Sequence, residues 1–119
     1  LGFNKAPKYI SWSSENRSQL IRIPAATGEY HRAELRSPDP MANPYIAYTL
    51  LIYAGLYGIQ NKLELPKPAN VNLFTADAET LANYKTLPLS LAEARKRAFD
   101  SSFVRDHLPL SLIDYFCNR

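Results

Sequence analysis

The sequence predicts a small α+β fold in which a short antiparallel β-strand pair is followed by about three α-helices. Residues 19–36 contain two short runs in which apolar and polar residues alternate, as they do in half-buried strands. The rest of the chain is dominated by one long apolar segment and two shorter segments with helix-start signals. The 119 residues are 46% hydrophobic and 21% charged, which is typical of one globular domain.

The two strands are predicted at residues 19–23 and 30–36. In the first run, apolar side chains surround Arg22, and Pro24 ends the strand. Residues 25–29 include Gly28 and form the turn between the strands. Residues 1–15 are rich in aromatic and polar side chains without periodicity, so we expect a loop there.

The helices are predicted from their caps and from their apolar content. Asn43 followed by Pro44 is a favourable start for a helix over residues 45–62. This segment is apolar almost all round, so we expect the helix to be buried in a larger body. Ser90 and Glu93 form a capping box for a helix that ends near residue 101. Further helices are expected at residues 78–83, as a short piece in a long connection, and at 111–118. These elements provide too little cover for the apolar helix, which indicates a fragment.

Charge and hydropathy exclude several classes of protein. The net charge is +3, and the one compact basic cluster, residues 95–97, lies on a predicted helix whose solvated face explains it. The sequence pI of about 9.1 alone raises the alternative of a small nucleic-acid-binding domain. The sequence has no motif for reading nucleic acid, so we expect no such partner. The longest apolar stretch, residues 46–59, is shorter than the roughly 20 residues of a membrane span.

The expected location is the cytoplasm. No basic, cleavable leader follows Leu1, and a single cysteine excludes an internal disulfide framework. That residue, Cys117, lies between aromatic side chains and the end of the chain, where a packing role is expected.

The second predicted strand carries a row of charges. Side chains two apart on a strand point the same way, so Arg32, Glu34 and Arg36 share one surface. Arg17 and Arg22 lie one strand away. Arginine pairs carboxylates and phosphates with two parallel hydrogen bonds, and a glutamate among arginines stays ionised and ligates Mg²⁺ or Mn²⁺. From spacing alone, salt bridges on an exposed strand pair also explain this pattern.

The motifs resemble one family over essentially the whole chain. The strings NRSQLIRIP (16–24) and HRAELRSPDPMANPY (31–45) are similar, in order and spacing, to glutamine synthetases. The resemblance makes residues 1–119 the C-terminal segment of a glutamine-synthetase-like catalytic domain. Further matches lie at residues 6–7, 11–12, 54–56, 58–62, 72–74 and 87–91.

The resemblance implies roles for the five charged residues. Arg17 resembles the arginine that contacts the glutamate carboxylate and the nucleotide phosphates, and Arg36 resembles the one that orients glutamate during transfer. Both are therefore candidate catalytic residues. Arg22 and Arg32 are the further candidates for binding ATP phosphates. Glu34 resembles a ligand of the metal that bridges those phosphates.

The resemblance also implies the reaction. In this family ATP phosphorylates glutamate to γ-glutamyl phosphate, and ammonia then displaces the phosphate. The implied cofactors are ATP and Mg²⁺ or Mn²⁺, and full-length members assemble as homo-oligomeric stacked rings. Family members add metal-binding glutamates and a histidine from earlier in the chain, so we expect this segment alone to be inactive.

The chain departs from the family pattern in three ways. Asn4 and Lys5 stand where members carry a flap glutamate that attracts ammonium, and Glu29 stands where members often supply a lysine to ATP. Phe74 replaces a tyrosine that some bacterial members modify for regulation. The first two departures leave two alternatives open: a ligase that joins glutamate to another amine, and a non-catalytic relative.

Four further residues have structural interpretations. Asn43 is expected to cap a helix, and Trp12 and Tyr45 are expected to pack. His31 is expected at the surface rather than as a metal ligand.

Overall fold

The computed structural model describes residues 5–118, so Asn4 and the start of the predicted N-terminal loop lie outside the described residues. These residues divide into two compact units. The sheet unit contains residues 5–38 and 66–89, and the helical unit contains residues 39–65 and 90–118. The prediction that residues 1–119 form one segment of a catalytic domain stays a prediction.

Three very short strands form the sheet, in the order β1 (Trp12–Ser13), β2 (Ile21–Arg22) and β3 (Glu34–Leu35). The pair β2–β3 is antiparallel, which confirms the predicted strand pair. The strand β1 pairs in parallel with β2, although this region was predicted to be loop. That prediction was wrong because β1 is defined by its partner: the carbonyls of Ser11 and Ser13 accept from Ile21 and Ile23.

The predicted second strand, 30–36, is longer than the one observed. A 3₁₀ helix occupies Gly28–Tyr30, and Gly28 has a φ of 62°. Glycine enters this left-handed region at little cost, so the chain turns here rather than extending. Residues 31–33 are exposed and lie outside the ladder. His31 is therefore at the surface, as predicted.

The sheet unit is completed by residues 66–89. Ala69 and Leu73 are its buried hydrophobic residues among those described. Trp12 is half-buried, and its Nε1 donates to the Pro66 carbonyl at 2.7 Å. The short helix α2 (Ala78–Leu81) begins where Asp77 accepts from Thr80 N–H. The helix predicted at 78–83 is thus present but two residues shorter.

The helical unit begins with α1 (Pro44–Gln60). The Asn43 side chain accepts from the backbone N–H groups of residues 45 and 46, which confirms the predicted cap. At the other end, Lys62 N–H donates to Ile59 O and Leu63 N–H donates to Gly58 O. This pair of bonds is a Schellman motif, and Lys62 takes its left-handed position with a φ of 50°.

Three helices follow: α3 (Leu91–Asp100), α4 (Ser102–His107) and α5 (Leu110–Cys117). Ser90 caps α3 by accepting from Glu93 N–H, and both α3 and α5 match the predicted helices closely. The helix α4 was not predicted, because six residues are too few to show a period. Ser101 ends α3 and also caps α4 by accepting from Val104 N–H.

The described residues leave α1 uncovered, and its burial in a larger body stays a prediction. None of its residues is buried, and Tyr45, expected to pack, is 83% exposed. Within the helical unit α1 packs chiefly against α4, and the described elements of this unit are too few to surround an apolar helix. A mainly apolar cavity of about 240 Å³ lies between the helices, with Leu50 and Cys117 on its walls. No helix within residues 5–118 is both long and apolar enough to cross a membrane.

Candidate functional site

The centre of the candidate site is an ion pair between neighbouring strands. Arg22 on β2 lies directly opposite Glu34 on β3 in the antiparallel ladder. Opposed side chains on one face of a sheet lie within reach of each other. Arg22 Nε donates to Glu34 Oε2 at 2.8 Å. The carboxylate is 42% exposed, so solvent and ligands can still reach it.

Arg36 adds a second guanidinium to the same carboxylate. Its N–H donates to the Leu20 carbonyl at 2.9 Å, which keeps the backbone extended beyond β3. Arg36 and Glu34 are two residues apart on this extended backbone, so their side chains point the same way. Arg36 Nε lies 3.7 Å from Glu34 Oε2, and its Nη2 donates to the Lys5 carbonyl at 3.4 Å.

These arginines keep Glu34 ionised. The hydrogen bond from Arg22 is the main cause that lowers the pKa of Glu34 below its ordinary value of 4.5. The charges of Arg22, Arg36 and Arg17 lower the pKa further, against an opposing contribution from partial burial. Glu34 is therefore a carboxylate at neutral pH, as the sequence predicted.

Arg17 lies on a tight turn of the same unit. Its side chain is exposed, and its charge still acts on Glu34. Ser13 Oγ accepts from the N–H groups of residues 15 and 16, and Asn16 Oδ1 accepts from Ser18 N–H. Arg17 also lines a polar depression of about 600 Å³, together with Asn70 from the other segment of the sheet unit.

Arg32 stands apart from the cluster. It lies outside the ladder, is exposed, and its Nη1 donates to the Tyr30 carbonyl at 3.4 Å. The expected row of three side chains is thus reduced to Glu34 and Arg36, because the strand begins only at Glu34. The structure brings together Arg22, Glu34 and Arg36, whereas Arg17 acts on Glu34 only through its charge. The phosphate-binding roles of Arg17 and Arg32 remain predictions.

The cluster suits anions that carry several oxygens. Two guanidinium groups lie within 4 Å of one carboxylate, so positive charge is in excess. Among the described residues, Arg36 Nη1 is a buried donor without a hydrogen-bond partner. A buried donor is costly to leave unpaired, and a phosphate or carboxylate oxygen would satisfy it. ATP phosphates and a glutamate carboxylate have the matching chemistry.

This cluster contains one candidate metal ligand, Glu34. No group of three or more His, Cys, Asp or Glu side chains within residues 5–118 is arranged to hold a metal. Mg²⁺ is often bound by one or two carboxylates, with phosphate oxygens and water completing its shell. Glu34 fits that limited role, since it is ionised and half-exposed.

Two residues beside Arg17 were missed by the sequence analysis. Ser18 and Gln19 are fully buried, although both are polar. Apart from a contact to each other and one to Asn16, their partners lie 50 or more residues away along the chain, at Ala69, Val71 and Leu73. The only local signal is a polar pair at the start of an otherwise apolar run.

Comparison with known proteins places the chain among enzymes that share these motifs. The family model described as "Glutamine synthetase, catalytic domain" matches residues 3–119. The chain belongs to the glutamine synthetase family. It is 49% identical over 106 residues to a glutamine synthetase of Methanosarcina mazei, a match that covers 87% of this chain and 24% of the relative. It is 40% identical over 116 residues to glutamine synthetases of Staphylococcus epidermidis and Staphylococcus aureus, covering 96% of this chain and 26% of each relative.

The matches confirm the family that the motifs predicted. The glutamine synthetase match spans all five charged residues of the predicted site. The chain itself spans about a quarter of the length of the curated relatives.

Proposed function

We propose that this chain forms part of an ATP-dependent glutamate–ammonia ligase that makes glutamine through γ-glutamyl phosphate. The observation that carries the proposal is the convergence of Arg22 and Arg36 on the Glu34 carboxylate, at 2.8 and 3.7 Å. Membership of the glutamine synthetase family supports the choice of reaction. Homo-oligomeric rings and a cytoplasmic location belong to the same proposal, and rest on the family resemblance alone.

In the proposed reaction the arginines bind and stabilise negatively charged groups. Arg17 and Arg22 hold the phosphates of ATP, and Arg36 orients the carboxylate of glutamate toward them. Phosphoryl transfer spreads negative charge over the transferred group, and fixed guanidinium groups stabilise that charge without reorganising. Glu34 is the proposed metal ligand, and a bound Mg²⁺ or Mn²⁺ would neutralise phosphate charge there.

The chain by itself should not complete the reaction. Among residues 5–118 the acidic and histidine side chains do not gather into a metal site of three ligands. Phosphoryl transfer depends on metal neutralisation of the phosphates. We therefore expect the 119-residue chain to bind ATP without ligase turnover.

A second candidate is a ligase whose amine is not ammonia. The backbone position of Lys5 favours it, because the Lys5 carbonyl accepts from Arg36 Nη2 and a lysine, not a glutamate, therefore lies at the edge of the cluster. A cationic side chain near a site disfavours a second cation such as ammonium. An amine that arrives uncharged, or that carries an anionic group, would be less disfavoured.

Titration calorimetry of the 119-residue chain with ATP and Mg²⁺ tests the binding half of the proposal. Replacing Arg22 with Ala should weaken ATP binding about tenfold, because a charge-assisted contact to phosphate is lost. Arg105→Ala removes the same charge from exposed α4 and should leave binding unchanged. Equal weakening by both variants would contradict a specific site.

Measurement of turnover tests the catalytic half of the proposal. The chain should release no phosphate above background when it is mixed with glutamate, ATP, Mg²⁺ and ammonium. The full-length protein should release phosphate with ammonia or another amine, and Arg36→Ala should abolish that release. A full-length protein that is inactive with every amine would favour the non-catalytic relative.

A further inference from the structure

The Ser18–Gln19 pair joins two distant segments of the sheet unit. Ser18 Oγ accepts from Leu73 N–H at 2.9 Å. Gln19 Nε2 donates to the carbonyls of Ala69 and Val71, both at 3.0 Å. These bonds close separations of 50 to 55 residues along the chain. We call this set of bonds the Ser18–Gln19 clamp.

The clamp is chemically well defined. Gln19 is 0% exposed, and an amide nitrogen has two hydrogens to donate. The opposite orientation of the amide would put its oxygen against two carbonyl oxygens, so the hydrogen bonds fix the side chain one way round. Bonds buried in this way are costly to break, because each carbonyl then loses its donor.

The clamp lies immediately beside Arg17. The Asn16 side chain accepts from Ser18 N–H at 2.8 Å, so Arg17 is enclosed between two anchored neighbours. The exposed Arg17 side chain has no such anchor of its own, and its placement therefore depends on the backbone that the clamp holds. Asn70, within the clamped segment, lines the same polar depression as Arg17.

We propose that Ser18 and Gln19 are positioning residues, which tie Arg17 to residues 69–73 and hold it at the polar depression that it lines together with Asn70. This inference rests on the proposed function, in which Arg17 binds phosphate. It adds that residues 69–73, distant in sequence and without a charged side chain, set the geometry of the site. Neither clamp residue contacts a ligand in this proposal.

The first experiment measures inorganic triphosphate binding to four forms of the 119-residue chain. They are the unmodified chain, Arg17→Ala, Gln19→Met and the double variant. Gln19→Met keeps side-chain volume and removes the donor. We expect each single variant to weaken binding by a similar factor, about tenfold, and the double variant to bind like Arg17→Ala. Weakening by Gln19→Met that persists in the Arg17→Ala background would show a merely structural role and overturn the proposal.

The second experiment needs no ligand. Nuclear magnetic resonance follows amide hydrogen exchange in the same four forms. Gln19→Met should speed exchange at the Ser18 and Leu73 amides, whose N–H groups donate to Asn16 Oδ1 and Ser18 Oγ, because the backbone at Arg17 is no longer held to residues 69–73. Arg17→Ala, which leaves the clamp intact, should leave both amides protected. Unchanged protection in Gln19→Met would overturn the proposal.

The two readouts separate the two claims. If the unmodified chain fails to bind triphosphate, the phosphate-binding role of Arg17 fails, and the exchange measurement still decides whether the clamp holds the backbone at Arg17. If Gln19→Met does not fold, Ser18→Ala replaces it in both experiments, and Ser18→Thr, which keeps the hydroxyl acceptor, should restore both readouts. Gln60→Met makes the same chemical change at an exposed position of α1 and should alter neither.

Discussion

Glu34 is the residue on which the charges of the sheet unit converge. Its carboxylate has Arg22 at 2.8 Å and Arg36 at 3.7 Å, while 42% of its side chain remains exposed. The arginine side chains of these pairs are only 17% exposed, so water screens the pairs less than it screens pairs of exposed groups. The exposed part of Glu34 leaves the carboxylate within reach of solvent.

The acid dependence of stability tests this ionisation state. The pKa of Glu34 is lowered in the folded chain, so its contribution to the free energy of unfolding is present above the ordinary pKa of 4.5. The contribution is lost as pH falls through the lowered pKa. We expect Glu34→Gln to flatten the pH dependence of urea unfolding below about pH 4.5.

The control for this titration is Glu79→Gln on exposed α2, which makes the same change outside the cluster. Its unfolding curve should keep the acid dependence of the unmodified chain. A Glu34→Gln chain that loses stability with acid as steeply as the unmodified chain would contradict the assignment.

Part of the site was predictable from sequence at this scale. The two-residue period places Glu34 and Arg36 on one side, and it holds because the Arg36 N–H continues the ladder to Leu20. Arg32 does not follow this alternation, because Gly28 begins a 3₁₀ turn and the strand starts only after it. Gln19 could not be predicted, since its partners are 50 or more residues away.

The end of α1 shows how an element is closed by its backbone. Two hydrogen bonds, from the N–H groups of Lys62 and Leu63, satisfy the last carbonyls of the helix. The motif requires a left-handed residue, and Lys62 holds that conformation with a φ of 50°. A residue with a Cβ is strained there, whereas glycine is not.

Replacing Lys62 with Gly should therefore stabilise the chain. Relief of the left-handed strain outweighs the added entropy of the unfolded chain, and we expect a gain of up to about 1 kcal/mol in the free energy of unfolding. Urea unfolding followed by far-ultraviolet ellipticity measures it. Gln60→Gly, inside the helix, should instead cost about 1 kcal/mol. A loss of stability in both variants would show that Lys62 is not strained.

Elements with local signals were predicted, and those that depend on distant partners were not. The start of α1 follows from Asn43 and the start of α3 from Ser90, each through a hydrogen bond within three residues. The strand β1 has only two residues and exists through its bonds to β2. Sequence alone cannot supply such a partner.

The helical unit leaves a broad apolar surface on α1. Tyr48 and Ile52, one turn apart, are 65% and 62% exposed, and Tyr45 and Ile59 extend the same surface. Exposed apolar patches of this kind promote association. We expect the 119-residue chain to associate more strongly as its concentration rises.

Replacing both Tyr48 and Ile52 with lysine should reduce that association. Charge on the patch opposes its burial, and two exposed side chains contribute little to the folded unit. Sedimentation velocity over a range of concentrations measures the effect. The paired control places lysine at Ser102 and Ser111, which are exposed on α4 and α5. Equal association in both double variants would show that the α1 surface is not responsible.

The Trp12 indole, whose N–H donates to the Pro66 carbonyl, is an internal fluorophore at a known position in the fold. It is the sole tryptophan of the chain and belongs to the sheet unit, whereas four of the five helices belong to the helical unit. Its emission spectrum accordingly reports on one unit, and helical circular dichroism reports mainly on the other. Melting curves recorded by the two signals would coincide for a single cooperative transition and separate if each unit melts on its own.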